Sequence, residues 1–180
     1  GRPGPGYNIK GEPQPWTSMI VKFDRDNSEW KDTLGRNFSN GVRFHLPDKD
    51  VFAINVKTLA VTHEFTHVGT TLYNLAVNPV NGKLYVSNTD AQNHIRFEGP
   101  GEHGGSTVQG NIAQARITVI EPSSAEVKPR HLNSHIDYAV HKATASTKQH
   151  SLATPTQMAV TGNGQTLYVA ALGSNRVGVF

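Results

Sequence analysis

The chain has 180 residues, no cysteine, 17 glycines, 10 prolines and a formal net charge of +3. That length suits one domain, and the many turn residues fit strands and turns better than a helix bundle. The lack of cysteine excludes disulfides, thiol catalysis and thiolate metal sites. Scattered lysines and arginines offer no nucleic-acid surface, and no run nears the roughly 18 apolar residues of a membrane span.

The chain opens GRPGPGYN without a signal-peptide pattern. An export signal, if there is one, is expected to have been removed or to lie outside these residues. Residues 19–23 and 30–33 predict two short strands around Asp24-Arg25-Asp26-Asn27-Ser28. That stretch begins like a calcium loop but has neither glycine at its sixth position nor glutamate at its twelfth, so a polar hairpin turn is expected. A further strand is predicted over 51–54.

His63-Glu64-Phe65-Thr66-His67 then spells H-E-x-x-H. In zinc peptidases this motif lies on a helix, two histidines binding the metal and the glutamate acting as general base. Four residues along a helix rise about 6 Å, so both imidazoles can reach one ion; along a strand they lie about 13 Å apart. Val61, Thr62, Thr66, Val68, Thr70 and Thr71 are β-branched and Gly69 breaks helices, so the segment is expected to be extended. A zinc site at His63 and His67, with Glu64 as base, is carried as an alternative.

Next come LAVNPVNGKLYVSNTDAQNHI from Leu75 and MAVTGNGQTLYVAALGSNRV from Met158. They are one pattern used twice: an apolar run, an Asn-Gly turn, a second run with Leu-Tyr-Val, and a polar turn containing Asn. Asn81-Gly82 and Asn163-Gly164 are expected to supply the positive φ angles of tight hairpins. A third strand follows each copy, at 117–120 and 177–180, and 51–54 is an earlier copy of that strand. Adding a variable fourth strand gives a four-stranded propeller blade.

The two Leu-Tyr-Val triplets stand about 83 residues apart, roughly twice the blade period of about 40–45. Insertions at 96–114 and 129–154 explain the excess, and long loops of this kind carry function in rigid scaffolds. About three blades are expected: a partial one around 19–34, one from near Val42 and one from near Thr154. Three cannot close a ring, so an all-β partial propeller completed by further blades or other chains is predicted. Innermost strands line a propeller's channel, which makes the repeat-equivalent Asn74 and Gln157 candidate ligand-facing residues. In the second insertion His131 and His135 share the i, i+4 spacing, with Asp137 and His141 nearby. They are the candidate ligands for a transition metal such as copper or zinc.

The blade signature Leu84-Tyr85-Val86-Ser87-Asn88, with the phrases around 88–101 and 131–138, resembles exported bacterial β-propellers of the surface-layer or YVTN-repeat type. More narrowly it is similar to large propeller proteins whose later region carries Cys-x-x-Cys-His haem motifs. The resemblance implies a periplasmic or extracellular, non-catalytic binding scaffold with a c-type cytochrome as partner. It also implies haem in sequence outside this chain, since these residues hold no cysteine.

Overall fold

The structure is a computed structural model that describes residues 21–32, 35–43, 48–92, 111–138, 140 and 143–180. The chain divides into two compact units. One comprises Gly1–Leu46, Gln92–Ile112 and Tyr138–Lys142; the other comprises Pro47–Ala91, Ala113–Asp137 and Ala143–Phe180. Most of the 96–114 insertion lies outside the described residues.

In the first unit β1 (Lys22–Asp24) and β2 (Glu29–Lys31) form the expected hairpin, with Phe23 opposite Trp30 and their rings 5.2 Å apart. Asp24 organises the turn. Its carboxylate accepts bonds from the Asp26 amide at 3.1 Å, the Asn27 side chain at 2.9 Å and Lys31 Nζ at 2.7 Å. The Lys31 bond first, then that of Asn27, holds this carboxyl down to about 2. A depressed carboxylate stabilises the fold above its unfolded pKa and loses that contribution as pH falls through the folded value. The hairpin is therefore expected to persist at pH 4 and weaken towards about pH 2. An NMR titration of the Asp24 carboxyl should show the low midpoint, and Lys31→Met should move it upward.

In the second unit β3 (Val51–Ile54) pairs with β4 (Val61–Phe65). Then β5 (Thr71–Val77), β6 (Leu84–Ala91), β7 (Ala113–Glu121) and β8 (Glu126–His131) form a four-stranded antiparallel meander in chain order. The last sheet holds β9 (Pro155–Val160), β10 (Leu167–Ala171) and β11 (Arg176–Val179), with β10 in the middle. A short helix, α1 (Ala145–His150), starts at Thr144, whose hydroxyl caps the Thr147 amide at 3.1 Å. The described residues thus build an all-β, propeller-like fold of four small antiparallel sheets. Both predicted three-strand sets are present.

Alternation along β6 and β7 explains how this unit packs, because successive side chains point to opposite sides of a sheet. Leu84, Val86 and Ile120 face the β3–β4 hairpin and join Phe65 and Val68 in one core. Tyr85 and Ile117 face the other way and pack with Leu167, Val169, Met158 and Val160 of the last sheet. The four-stranded sheet is therefore covered on both faces. Two signature residues pin those faces. Ser87 Oγ donates to the Thr156 carbonyl at 2.6 Å. On the opposite side Asn88 Nδ2 donates to Thr118 Oγ1 at 2.9 Å, and that hydroxyl donates to the Val68 carbonyl at 2.7 Å.

Four expectations need correction. Ser87 falls in the strand as expected, but Asn88, expected in a turn, is fully buried within β6, because it finds buried partners that outweigh its turn preference. In the Asn-Gly loops only Gly82 and Gly164 take positive φ, at 74° and 70°. The loops span Asn78–Lys83 and Thr161–Thr166, closed by 2.8 Å and 2.9 Å backbone bonds between their ends. Counted back from Leu-Tyr-Val, the two Asn-Gly pairs are offset by one residue, so they are not equivalent. Residues 129–131, assigned to the second insertion, complete β8, where Pro129 is tolerated because an edge strand needs no outward N–H. The four-stranded sheet begins at Thr71, not near Val42, because 51–54 pairs with 61–65 in a separate sheet.

Candidate functional site

Three predicted constellations occupy three different places in the larger unit. Asn74 on β5 and Gln157 on β9 meet: Asn74 Nδ2 donates to Gln157 Oε1 at 3.1 Å. Their equivalence in the repeat puts them at matching heights on the first strands of two successive sheets. The pair is a polar bridge on an exposed surface, next to the buried Ser87–Thr156 tie.

The H-E-x-x-H segment is extended over 61–65, as its β-branched neighbours require. His63 stacks on Phe65 at 6.0 Å. Glu64, on the opposite side of the strand, pairs with Lys49 at 2.7 Å. His67 lies beyond the strand in a left-handed conformation at φ 65°, and its Nε2 meets Asp48 at 2.7 Å. The helical arrangement that lets two histidines share a zinc ion is absent from this segment. Among the described residues no three His, Asp or Glu side chains are grouped to hold a metal ion.

The third place is a cleft of about 450 Å³ between the four-stranded sheet and the last sheet. Tyr85, Ile117 and Val119 form one wall; Val160, Leu167 and Phe180 form the other. Arg130 and His131, at the end of β8, together with Ser134, Gln165 and Thr166, are its polar lining residues. Arg130 lies opposite Ile117 in the β7–β8 register and so points into the cleft. Its neighbour on that face, Lys128, pairs with Glu126 at 2.7 Å, while Arg130 has no ion pair among the described residues. Asn78, buried at the start of the β5–β6 loop, fixes the cleft's end. Its Nδ2 donates to the Gly164 carbonyl at 2.9 Å and to the Tyr85 hydroxyl at 3.3 Å.

His131 is held below the ordinary histidine pKa, first by burial, then by the positive charge of Arg116, then by His135. A base with a lowered folded pKa costs nothing above its unfolded pKa and costs stability as pH falls below it. Unfolding titrations are expected to show stability declining from about pH 6.5 downward, with His131→Asn removing part of that slope. His135 lies outside the cleft lining. Its Nε2 is 3.3 Å from the Thr147 carbonyl, and its ring meets His150 edge-on at 6.4 Å. Ser151 Oγ is directed to the Thr147 carbonyl at 2.7 Å. Of the two predicted histidines, His131 therefore lines the cleft and His135 does not.

Arg130, Asn78 and Phe180 were not evident from sequence. Pro129 concealed the strand that aims Arg130, although the alternation from Glu126 to His131 carried the signal. Among the described residues no helix is long and apolar enough to cross a membrane.

No protein-family model matches the chain, and no curated protein matches it. Among solved structures, the hydrazine synthase of Kuenenia stuttgartiensis matches it with a TM-score of 0.56 at 15% identity, over 96% of this chain and 50% of that one. The chain thus spans half the length of that structure's chain. At this identity the likeness is one of fold.

Proposed function

We propose that this chain is a non-catalytic binding segment of a larger β-propeller, within an exported, multi-chain redox protein that docks a c-type cytochrome region. The observation that carries the scaffold reading is the pair of uncovered apolar faces at the two ends of the larger unit. On β3–β4 Phe52, Ile54 and Val61 are exposed; on the last sheet Tyr168, Val177 and Val179 are exposed. These are the outward faces of sheets whose inward faces are packed in cores. In a propeller such faces are covered by the next blade, so the meander is one whole blade and its flanking sheets are parts of two more. Asn74 and Gln157 then lie on inner strands and line the channel. The fold likeness to a hydrazine synthase and the sequence likeness to haem-bearing propellers support the redox assignment and a periplasmic or extracellular location.

The first consequence concerns solution behaviour. Apolar area buried on association is worth roughly 25 cal/mol per Å², so uncovered sheet faces favour self-association. The isolated chain is expected to scatter light as oligomers at micromolar concentration. A monodisperse monomer would contradict the scaffold reading. The redox assignment is tested by recovering the affinity-tagged chain from its native host and staining for covalent haem. A haem-bearing polypeptide held by the chain is expected; recovery without haem would overturn the cytochrome part.

A further inference from the structure

Beyond β8 the chain makes an excursion that a buried clamp closes at its base. Asn133 Nδ2 donates to the Leu152 carbonyl, and the Leu152 amide donates to Asn133 Oδ1, both at 2.7 Å. Within the excursion stands α1, whose carboxyl end is held from β11. Arg176 Nη1 donates to the Lys148 carbonyl at 2.6 Å and to the Ser151 carbonyl at 3.1 Å. The clamp and this tie bring together His135, just past Asn133, and His150, just before Leu152. Their ring centres are 6.4 Å apart, with the planes at 80°.

Each imidazole spends one nitrogen on a backbone carbonyl of α1. His150 Nδ1 lies 2.8 Å from the Ser146 carbonyl, and His135 Nε2 lies 3.3 Å from that of Thr147. A carbonyl only accepts, so these nitrogens carry the ring hydrogens. In the neutral rings the lone pairs therefore sit on His150 Nε2 and His135 Nδ1. Metal-binding histidines are oriented in this way, one N–H held by a carbonyl and the other nitrogen left to ligate. An ion bound by both rings at about 2.0–2.1 Å stands about 3.2 Å from each ring centre. The centres are then about 4.5 Å apart for ligands at a right angle and about 6.4 Å apart for ligands in line. The observed spacing is the open end of that range, and both side chains are exposed and so can approach further. Lys148 and Arg176 place positive charge beside the pair. Nitrogen donation must therefore supply the affinity, which favours copper(II), the divalent ion that such donors hold most tightly.

We infer that His135 and His150 form a two-imidazole site for a divalent transition metal, copper(II) foremost, with water completing the coordination. The site pairs His135 with His150 and not with His131, which lines the cleft. It does not rest on the scaffold reading and stands whether or not the chain holds a cytochrome region.

The probe is copper(II) chloride alone, titrated into the full chain and followed by NMR and by electron paramagnetic resonance. The first equivalent is expected to broaden the ring protons of His135 and His150 before those of any other histidine, and to give a copper signal split by two nitrogens. His150→Gln and His135→Gln should each weaken that first site at least about tenfold, since even the partners that orient a ligand are worth about 10–100-fold. Both side chains are exposed, so neither change should alter the circular dichroism of the metal-free chain. His131→Gln should leave the first site as it is. A copper signal split by one nitrogen, affinity unmoved by His150→Gln, or affinity lost on His131→Gln would each overturn the proposal. The broadening pattern needs no variant, so it decides the matter even where a substituted chain fails to fold. Haem recovery and these titrations fail independently, so the redox assignment and the metal site can be told apart.

Discussion

Phe65→Ala is expected to lower the unfolding free energy by about 3–5 kcal/mol. Phe65 ends β4 and is 1% exposed, packed with Val68, Val86 and Ile120, with Leu72, Leu84 and Val127 around them. Its ring joins the β3–β4 hairpin to the four-stranded sheet, so truncation leaves a cavity at a junction between two sheets. Such a seam cannot collapse readily, because Asp50 Oδ2 holds the Val68 amide at 2.8 Å and Thr118 holds its carbonyl. Domains of this size have roughly 5–15 kcal/mol in total, so the loss is a large share. Urea titrations of the wild type and variant, with the slope compared as well as the midpoint, measure it. Phe65→Leu keeps most of the volume and should cost markedly less. A loss below about 1 kcal/mol for Phe65→Ala would mean that the hairpin does not pack on the meander.

Local chemistry made much of this fold legible. Leu-Tyr-Val occurs twice, and in both copies Leu and Val enter a core while Tyr alternates to the other side. The repeat also placed Asn74 and Gln157 as equivalents, which is why they can bond across adjacent first strands. The extended state of the H-E-x-x-H segment followed from its β-branched neighbours, which restrict χ1 and crowd a helix. Other features depend on partners far away in the chain. Asn88 reads as a turn former because its burial rests on Thr118, 30 residues distant, and the tie from Ser87 to Thr156 spans 69 residues. Asn78 reads as a turn residue and is one, through its Oδ1 bonds to the Val80 and Asn81 amides. Its second role, holding Gly164 across the sheet interface, needs the fold to exist first. The cleft was hidden for the same reason: its walls come from five strands and two loops.

Gly69→Ala is expected to cost about 2–4 kcal/mol, although Gly69 lies outside any strand and needs no left-handed backbone. An added Cβ would run into the Asn88 side chain at its Cβ, Cγ and Oδ1 together. Asn88 cannot swing aside cheaply. It is fully buried, and its Nδ2 bonds the Val86 carbonyl and Thr118 Oγ1, each at 2.9 Å. Thr118 and Arg116 Nη2 both bond the Val68 carbonyl, at 2.7 Å and 3.2 Å, and Arg116 Nη1 pairs with Asp90 at 3.0 Å. Displacing one amide therefore disturbs a network that ties the 66–70 connection to β6 and β7. Asn88→Ala should cost about 2–3 kcal/mol by itself, through the lost bonds and the space left behind. The double variant tests the Asn88 amide group as the cause. If Gly69 is required because the Asn88 amide fills the space above it, removing that amide relieves the two nearest contacts, at Oδ1 and Cγ, and leaves only the one at Cβ. The two losses should then fall short of additivity by more than about 1 kcal/mol in a double-mutant cycle. Full additivity would remove the Asn88 amide group as the cause of the Gly69→Ala cost.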